Sequence, residues 1–400
     1  MKNRAITRML SAGMFLSILL TGTGFAVSEE TMEQAAVMKK EATLIALQDD
    51  LLIKNTKEVG LDVVTEVKNL DRYQEAVKEE LPEMSDLELG KEILLAGGYK
   101  LEEIEKFPEE KIIEALQYTE ITRTGSFIRQ RPSGERIPMD KESFYKSVEK
   151  ANKKERELAF ENMMSALYQG KRTNDLTIDT NEEKTSADVF SDIVWDQTEY
   201  PNDGYIELYS SANKYYPSYA EKGRAYYVIH GSAGWVKTPF WWKTDILAIA
   251  SEGKIDNNYE SSGMLYYNLY CNDHNTYVDH SDMATVGNTD DGVKVYNPSL
   301  NGLAIEGRLL CGEGGHPTCG FVKEKSRTYF FGWYGIKAQL DANCQVAYSH
   351  QMIGVTDSIS VGISLSGSGP SISFGTGITT THSDYYGRVF SVSGGDINYK

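Results

Sequence analysis

The chain has 400 residues and a formal net charge of −17 at pH 7, from 58 acidic and 41 basic residues. This length is sufficient for two domains with separate cores. Proteins that bind nucleic acid rely on Lys and Arg at the phosphates, so the acidic balance argues against nucleic acid as a partner. It argues equally against simple electrostatic docking on an anionic membrane.

The start of the chain, residues 1–26, has the features of a secretory signal peptide. Basic residues precede an apolar run over 9–20, and a small-residue cleavage sequence follows at 24–26. The apolar run is too short for a membrane-spanning helix. The sequence therefore predicts a secreted, extracellular protein whose mature chain begins near Val27.

Residues 27–170 are charge-dense and are predicted to form a helical region. One predicted helix has apolar residues at helical spacing, namely Val63, Val67, Leu70, Val77 and Leu81. Pro82 ends this helix, and Ser85 with Glu88 forms a capping box for the next one. Asp140 is placed to cap a further, long helix. The charged faces of these helices are expected to be solvated, and a partner-binding arm is the alternative interpretation.

The polar stretch 171–186 is predicted to be a linker, and residues 187–400 to be a β-domain. All five Trp and all six His of the chain fall in this second part. Candidate strands are 205–210, 224–230, 244–251, 264–271, 293–296, 303–309, 328–333, 336–348, 358–366, 371–379 and 388–393. Many short strands without intervening helices favour an antiparallel β-sandwich-like or elongated β-domain. The predicted fold class is therefore α+β, with a helical N-terminal region followed by that domain.

Two alternating stretches organise this β-domain. Residues 336–348 alternate apolar and polar side chains without interruption, which predicts one long strand with a buried face. Residues 358–379 alternate in the same way on both sides of a Gly/Ser/Pro turn, which predicts a hairpin. Leu365 opposite Ile372 is the predicted register. The apolar face of the hairpin consists of Ile359, Val361, Ile363, Leu365, Ile372, Phe374 and Ile378.

Four cysteines, all in the second half of the chain, predict two disulfides, because exported proteins mature in an oxidising compartment. Cys271 and Cys344 both fall on the apolar faces of predicted strands, so a Cys271–Cys344 bridge is the preferred pairing. Cys311–Cys319 would then close a short Gly-rich loop. Two other connectivities remain open on the sequence alone, as does a set of free thiols.

The layout resembles a loose group of uncharacterised exported Gram-positive bacterial proteins that pair a helical N-terminal part with a Ser/Gly-rich β-domain. Two stretches carry the resemblance: 96–110, with Ala-Gly-Gly-Tyr, Glu-Glu-Ile and Pro-Glu-Glu, and the Ser-rich repeat 358–374. The resemblance implies export and this two-part architecture. It implies no activity.

No arrangement of residues predicts a catalytic centre, a cofactor or a metal site. The sequence around Ser232 is His-Gly-Ser-Ala-Gly, which lacks the first glycine of a nucleophile elbow and the α/β context that this motif needs. The Asp- and His-rich stretch 273–282 lacks zinc-protease spacing. A secreted hydrolase is therefore the third-ranked functional class.

Aromatic residues offer a binding hypothesis. The candidates are Trp235, Trp241, Trp242, Tyr215 and Tyr216. Such rings on loops of a β-sandwich stack on sugars or anchor in a membrane interface. The alternative, that they fill the core, is favoured because large rings are normally buried.

The predicted hairpin 358–379 supports a sharper hypothesis. Each arm has the length of a membrane-crossing β-strand, with one aliphatic and aromatic face and one face of Ser, Gly and Thr. An ordinary hairpin that packs its apolar face on the domain core has the same pattern. The first-ranked function is accordingly a non-enzymatic envelope or extracellular interaction protein, with glycan, protein or membrane lipid as partner. The second is a membrane-active protein that forms a β-pore with this hairpin.

Overall fold

The computed structural model describes residues 29–131, 135–168, 203–237, 244–271, 276–288, 293–308, 322–338, 342–351, 359–366, 369–376 and 383–392. The chain is α+β, with helices in its N-terminal region and mostly antiparallel strands after it. The predicted signal peptide, 1–26, and the predicted linker, 171–186, lie outside the described residues.

Two of the described helices begin at the N-caps that the sequence predicts, whereas the helix predicted to include Val63 begins only at Leu70. The described helices are α1 (Glu29–Leu51), α2 (Leu70–Glu80), α3 (Asp86–Ala96), α4 (Leu101–Ile104), α5 (Glu109–Glu114) and α6 (Lys141–Tyr168). The capping box precedes α3: the Ser85 hydroxyl accepts from the Glu88 backbone N–H, and the Glu88 carboxylate accepts from the Ser85 N–H. At α6 the Asp140 carboxylate accepts from the Ser143 N–H at 2.9 Å. Both predicted caps are confirmed.

The strands run through both halves of the chain. They are β1 (Ile53–Val59), β2 (Asp62–Lys68), β3 (Tyr118–Gln130), β4 (Arg136–Met139), β5 (Gly204–Tyr215), β6 (Ala225–Lys237), β7 (Thr244–Ser251), β8 (Lys254–Ile255), β9 (Ser262–Cys271), β10 (Thr276–Thr285), β11 (Val293–Tyr296), β12 (Gly302–Arg308), β13 (Val322–Ala338), β14 (Ala342–Gln351), β15 (Ile359–Ser366), β16 (Gly369–Thr376) and β17 (Ser383–Val392). The four strands β1–β4 fall in the region that the sequence predicts to be helical. Val63 and Val67 belong to β2, because a spacing of four residues fits a strand face as well as a helix face.

The strands form two large sheets and one hairpin. A ten-stranded sheet follows the order β1-β2-β3-β5-β6-β13-β9-β10, with β4 paired to β3 and β8 to β13. A five-stranded sheet has the order β11-β12-β7-β14-β17. The remaining pair, β15 and β16, is a separate two-stranded sheet.

The N-terminal and C-terminal halves share the ten-stranded sheet. Strand β3 pairs with β5 over its whole length, from Tyr118 opposite Tyr215 to Gln130 opposite Gly204. The structure therefore differs from the predicted division into a helical region, 27–170, and a separate β-domain, 187–400. The charge density of the N-terminal half concealed these strands, since composition does not report pairing between strands that are distant in sequence.

The elements stack as four layers. Helices α1–α5 cover one face of the ten-stranded sheet, the five-stranded sheet packs on the other face, and the hairpin lies on the far side of the five-stranded sheet. The core between the two sheets includes Tyr227, Ile229, Trp235, Leu247, Ile249, Phe330, Tyr334, Val346 and Tyr348. The core beneath the helices includes Tyr73, Ile93, Phe107, Tyr226, Phe331 and Trp333.

The predicted long strand 336–348 is two strands in different sheets. Ile336 belongs to β13 of the ten-stranded sheet, whereas Val346 and Tyr348 belong to β14 of the five-stranded sheet. The alternation of apolar and polar residues continues from β13 into β14 because both strands direct these apolar side chains into the same core between the sheets.

Candidate functional site: a hairpin docked on an alanine face

The five-stranded sheet has one face of small residues at its centre. Ala248 of β7 lies between Ala304 of β12 and Ala347 of β14, its direct partners on the neighbouring strands. Ile246 and Ala250 extend this surface along β7, and all five side chains are fully buried. We call this surface the alanine face. Its opposite side carries Leu247 and Ile249, which face the core between the sheets.

Hairpin β15–β16 covers the alanine face. Ile372 is 4% exposed and packs on it together with half-buried Val361, Ile363 and Phe374. The opposite hairpin face is exposed at Gly362, Ser364, Ser371 and Ser373. Leu365, near the hairpin tip, is 48% exposed and so extends beyond the covered area. The predicted division into an apolar face and a Ser/Gly face is confirmed for these residues.

The register of the hairpin differs from the predicted one by two residues. Ile363 lies opposite Ile372 and Val361 opposite Phe374, and the pairing already begins at Ser366 opposite Gly369. The prediction placed a longer turn at 367–370. A shift of two residues preserves the side-chain faces, because side chains alternate with a period of two. Ile378 lies outside the described residues.

One side-chain hydrogen bond ties the hairpin to the sheet among the described contacts. The Gln345 amide oxygen of β14 accepts from the Ile372 backbone N–H at 2.8 Å, in a buried position. This N–H points away from β15 and would otherwise be an unpaired donor on the outer edge of β16. A neighbouring edge position is Pro370, which has no N–H. The free edge of β16 is thus protected while the hairpin is docked.

A close approach at Gly302 positions β15. A Cβ atom at this glycine would collide with the Ile363 side chain and would lie 2.6 Å from the Ile249 carbonyl oxygen. Glycine therefore lets β12 begin directly under the hairpin. Tyr296 of β11, the direct partner of Ala304, packs beside Ala304 and Ile246, and burial raises its pKa to about 12. The covered surface is therefore small and apolar.

A buried polar cluster lies where the hairpin connects to the sheet. His350, the penultimate residue of β14, places Nδ1 2.7 Å from Oδ1 of Asp245. The Tyr348 hydroxyl donates to the same carboxylate, and Trp235 Nε1 donates to the Tyr348 hydroxyl at 2.8 Å. All four side chains are buried. This network holds the ends of β7 and β14 together at the point from which the chain leaves for the hairpin.

The chain leaves and re-enters the sheet between two strands that are themselves paired. Gln351, the last residue of β14, lies opposite Ser383, the first residue of β17. The hairpin is therefore an insertion at one end of the β14–β17 pair, folded back over its own sheet. Between Asp357 and Asp384 the sequence contains no Asp, Glu, Lys or Arg.

The predicted ligand-stacking aromatics are not gathered at one site. Trp235 is 1% exposed and Tyr215 is 3% exposed, so neither can stack on a sugar. Both lie within strands whose faces are covered by neighbouring layers, and the Tyr215 hydroxyl donates to Asp256 at 2.8 Å. Tyr216 is exposed. Trp241 and Trp242 lie outside the described residues, and their role stays a prediction.

The structure does not contain the preferred Cys271–Cys344 bridge. Cys344 is a free, buried thiol whose Sγ lies 3.2 Å from the Ser251 hydroxyl oxygen. Its strand is in the five-stranded sheet, whereas Cys271 ends β9 of the ten-stranded sheet. Burial raises the pKa of Cys344 to about 12, so this thiol is protonated at neutral pH. Cys311 and Cys319 lie outside the described residues.

The residue suggested by the incomplete nucleophile motif has a structural role. Ser232 lies within β6, and its hydroxyl donates to Glu103 at 2.9 Å. In the described part of the chain, no group of His, Cys, Asp and Glu side chains is placed to hold a metal ion. Within the same residues, no helix has both the length and the apolar character that a membrane crossing requires.

The alanine face is the part of the site that the sequence analysis missed. A signal for it exists: residues 244–251 read Thr-Asp-Ile-Leu-Ala-Ile-Ala-Ser, which is apolar at both alternating sets of positions. Such a strand is typically covered on both faces. The pattern could therefore have predicted a further layer outside the five-stranded sheet.

No protein-family model matches the chain, and no curated protein matches it. Several solved structures share distant similarity with the chain, and two of them serve as examples. One is the Clostridium perfringens NetB toxin in its membrane-inserted form, at 8% identity and a TM-score of 0.20, covering 48% of this chain and 91% of the toxin. The other is described as a pore forming protein, at 8% identity and a TM-score of 0.21, covering 49% of this chain and 94% of the other. Similarity at this level is no basis for assigning a function.

Proposed function

We propose that this is an exported, membrane-active protein in which hairpin β15–β16 is a stored stem. In the folded monomer the stem lies on the alanine face. On a membrane the stem dissociates from this face and pairs with the stems of other copies to form a β-barrel pore. The observation that carries the proposal is that, among the described strands, the hairpin pairs only with itself while its apolar face is held on an outer sheet surface.

The way the hairpin is attached allows release at a limited cost. In the described part of the chain, its strands share no backbone ladder with either large sheet. Undocking therefore breaks the Gln345–Ile372 bond and uncovers apolar side chains on both surfaces: buried Ile372 with half-buried Val361, Ile363 and Phe374 on the hairpin, and the fully buried alanine face beneath them. A fully buried aliphatic side chain contributes roughly 1.5–3 kcal/mol, so most of the docking free energy is apolar burial. Transfer of the same face into hydrocarbon would restore that burial.

The connectivity allows the stem to extend without disrupting the sheet. Strands β14 and β17 remain paired up to Gln351 and Ser383 when the hairpin leaves. Seven residues, 352–358, join β14 to β15, and six, 377–382, join β16 to β17. Continuous pairing from β14–β17 into the hairpin would therefore contain a single one-residue β-bulge.

The length and composition of the hairpin fit a bilayer. Each arm has 8 residues in the folded monomer, which at ~3.4 Å per residue and ~45° tilt rises ~19 Å. Extending the alternation to 358 and 378 gives arms of about nine to ten residues and ~21–24 Å, close to an apolar band of ~25 Å. The Ser/Gly face would then line the lumen. Since each copy provides two strands and the smallest such barrels have about eight, about four copies or more are required.

Dye release from liposomes tests the proposal. Purified mature protein is expected to release dye, whereas Ile363→Arg is expected not to, because the charge would sit on the lipid-facing side at a cost of roughly 2–4 kcal/mol near the midplane. Ser364→Arg is the matched control on the adjacent, exposed residue. It should retain dye release and alter the ion selectivity of the pore in planar bilayers.

Two results would contradict the stem. One is wild-type protein that releases no dye across neutral and anionic lipid compositions. The other is equal dye release by Ile363→Arg and the wild type under conditions where the variant is folded by circular dichroism. In either case the hairpin would be an ordinary covering layer of the sheet.

A further inference from the structure

The helical side of the molecule contains a histidine in an unusual environment. His230 lies within β6, and its side chain points away from the five-stranded sheet towards the helices. It is fully buried, and neither ring nitrogen has a hydrogen-bond partner among the described residues. Buried polar atoms are normally paired, so two unpaired nitrogens on one imidazole require an explanation.

Aromatic rings surround this imidazole. The ring centroids of Phe107 and Trp333 lie 5.3 Å from that of His230, Tyr99 lies at 5.4 Å, and Phe331 stacks on it at 6.2 Å. Tyr99 and Phe107 belong to the helical layer, whereas Phe331 and Trp333 belong to β13. His230 is therefore at the contact between the helices and the ten-stranded sheet. This setting suits a neutral imidazole, because a protonated ring would have to bury a second N–H among these rings.

The charged groups near this imidazole also disfavour a proton. Arg123 of β3 and Lys111 of α5 are the cations that act on His230. Their carboxylate partners are Glu103, 2.6 Å from Arg123, and Glu114, 3.1 Å from Lys111. Glu103 and Glu114 are thus already engaged, and the strand neighbours of His230 are Ser211 of β5 and Trp333 of β13. Burial first, and then these two cations, hold the pKa of His230 well below its usual value.

We propose that His230 makes the attachment of the helical layer to the ten-stranded sheet acid-sensitive. At neutral pH the uncharged ring completes the aromatic contact. In an opened state the His230 ring is in contact with water and can be protonated at a pH below the ordinary histidine pKa. In the closed state the buried ring stays neutral. Acid therefore shifts the equilibrium between the closed and opened states towards the opened state. The proposal is independent of the membrane function and concerns the opposite side of the molecule from the hairpin.

The direction and the size of this pH effect on opening follow from proton linkage. A base whose pKa is lowered on folding stabilises the closed state fully at pH values above its unfolded pKa, which is about 6.5 for histidine. That stabilisation is lost as the pH falls below 6.5. Between pH 7.5 and pH 5.0 the opened population is therefore expected to rise by about 30-fold through this one group.

Hydrogen exchange at pH 7.5 and pH 5.0, corrected for intrinsic rates, provides the test on the mature protein. In the wild type, peptides from α3 to α5 are expected to open at pH 5.0 while those from β7 and β14 stay protected. His230→Phe fills the same space with a ring that cannot be protonated, and it should remove the acid-dependent opening. His230→Met is the second variant if the first does not fold.

His280→Asn is the matched control, since His280 lies on β10 of the same sheet and is half-buried. This variant is expected to keep the wild-type response to acid. Two results would overturn the proposal. One is an unchanged wild-type exchange profile between the two pH values, and the other is the same acid-dependent opening in the wild type and in a folded His230 variant.

Discussion

Each large sheet is covered on its outer side, and the two coverings are built in different ways. The helical layer meets the ten-stranded sheet through large rings such as Phe107, Phe331 and Trp333 and through the buried Arg123–Glu103 pair. The hairpin meets the five-stranded sheet through four apolar side chains on a surface made mostly of alanine. The first contact joins two halves of the chain into one core. The second is small, apolar and made by an insertion between two paired strands, which is the construction expected of a part that moves.

Separating the two halves of the chain should have the largest effect on folding. Residues 187–400 expressed alone lose β3, the partner of β5, and leave Phe331 and Trp333 of β13 without the helices that cover them. We expect no cooperative thermal unfolding transition from this fragment. Co-expression with residues 27–186 should restore a folded complex that co-elutes in size-exclusion chromatography. A stably folded fragment 187–400 would instead support two independent domains.

Removing the buried cation of the helical side should have the next largest effect. The Arg123 guanidinium is 2% exposed, lies between the rings of Tyr99 and Tyr209, and pairs with Glu103 at 2.6 Å. Arg123→Ala would leave the Glu103 carboxylate buried without its cation, and we expect a loss of roughly 3–5 kcal/mol in the free energy of unfolding. Urea denaturation measures this.

Arg131→Ala is the control for that experiment. Arg131 pairs with Glu135, but these side chains are 43% and 54% exposed. Exposed pairs of this kind contribute about 0–1 kcal/mol, so this variant should unfold close to the wild type. Similar losses in Arg123→Ala and Arg131→Ala would show that the helical side is not held by its buried pair.

A matched pair of phenylalanines compares the two coverings directly. Phe331 is fully buried beneath the helices, whereas Phe374 of the hairpin is half-buried on the alanine face. Truncating a buried Phe to Ala typically costs roughly 3–5 kcal/mol, and we expect that loss for Phe331→Ala. Phe374→Ala should cost less than half as much in the same denaturation experiment. Equal losses would contradict the view that the hairpin is the weaker covering.

Structural features that depend on neighbouring residues were predicted from the sequence better than features that depend on residues far apart in the chain. The capping box of Ser85 and Glu88 and the two faces of the hairpin depend on residues within a few positions of one another, and both are confirmed. The strands β1–β4 were missed because composition does not reveal a distant pairing such as that of β3 with β5. Likewise, an inward-facing position was correctly predicted for Cys344, but an inward face does not specify which residue lies opposite it, and this thiol is free.

The candidate site shows the same limit. The alternation of apolar and polar residues identified the apolar side of the hairpin. Lipid and protein interiors both favour apolar residues, so the sequence could not distinguish between them. The structure was needed to show that this side packs on the alanine face. The register was shifted because the length of a Gly- and Ser-rich turn is weakly specified by its composition. His230 and its aromatic surroundings were missed because Tyr99, Phe107 and Trp333 are far apart in sequence.

The smallest expected effect concerns the bond that holds the hairpin edge. Gln345→Met keeps the length of the side chain but removes the oxygen that accepts from the Ile372 N–H. The free energy of unfolding should fall by only about 1 kcal/mol, since the two large sheets are unaffected. Hydrogen exchange is the more sensitive measurement, and faster exchange is expected in 369–376, with β7 and β14 unchanged. Ser364→Ala, on the exposed face, should leave that exchange at the wild-type rate. If Gln345→Met also left it unchanged, apolar burial alone would hold the hairpin on the alanine face, and the two coverings would differ in buried area rather than in a specific bond.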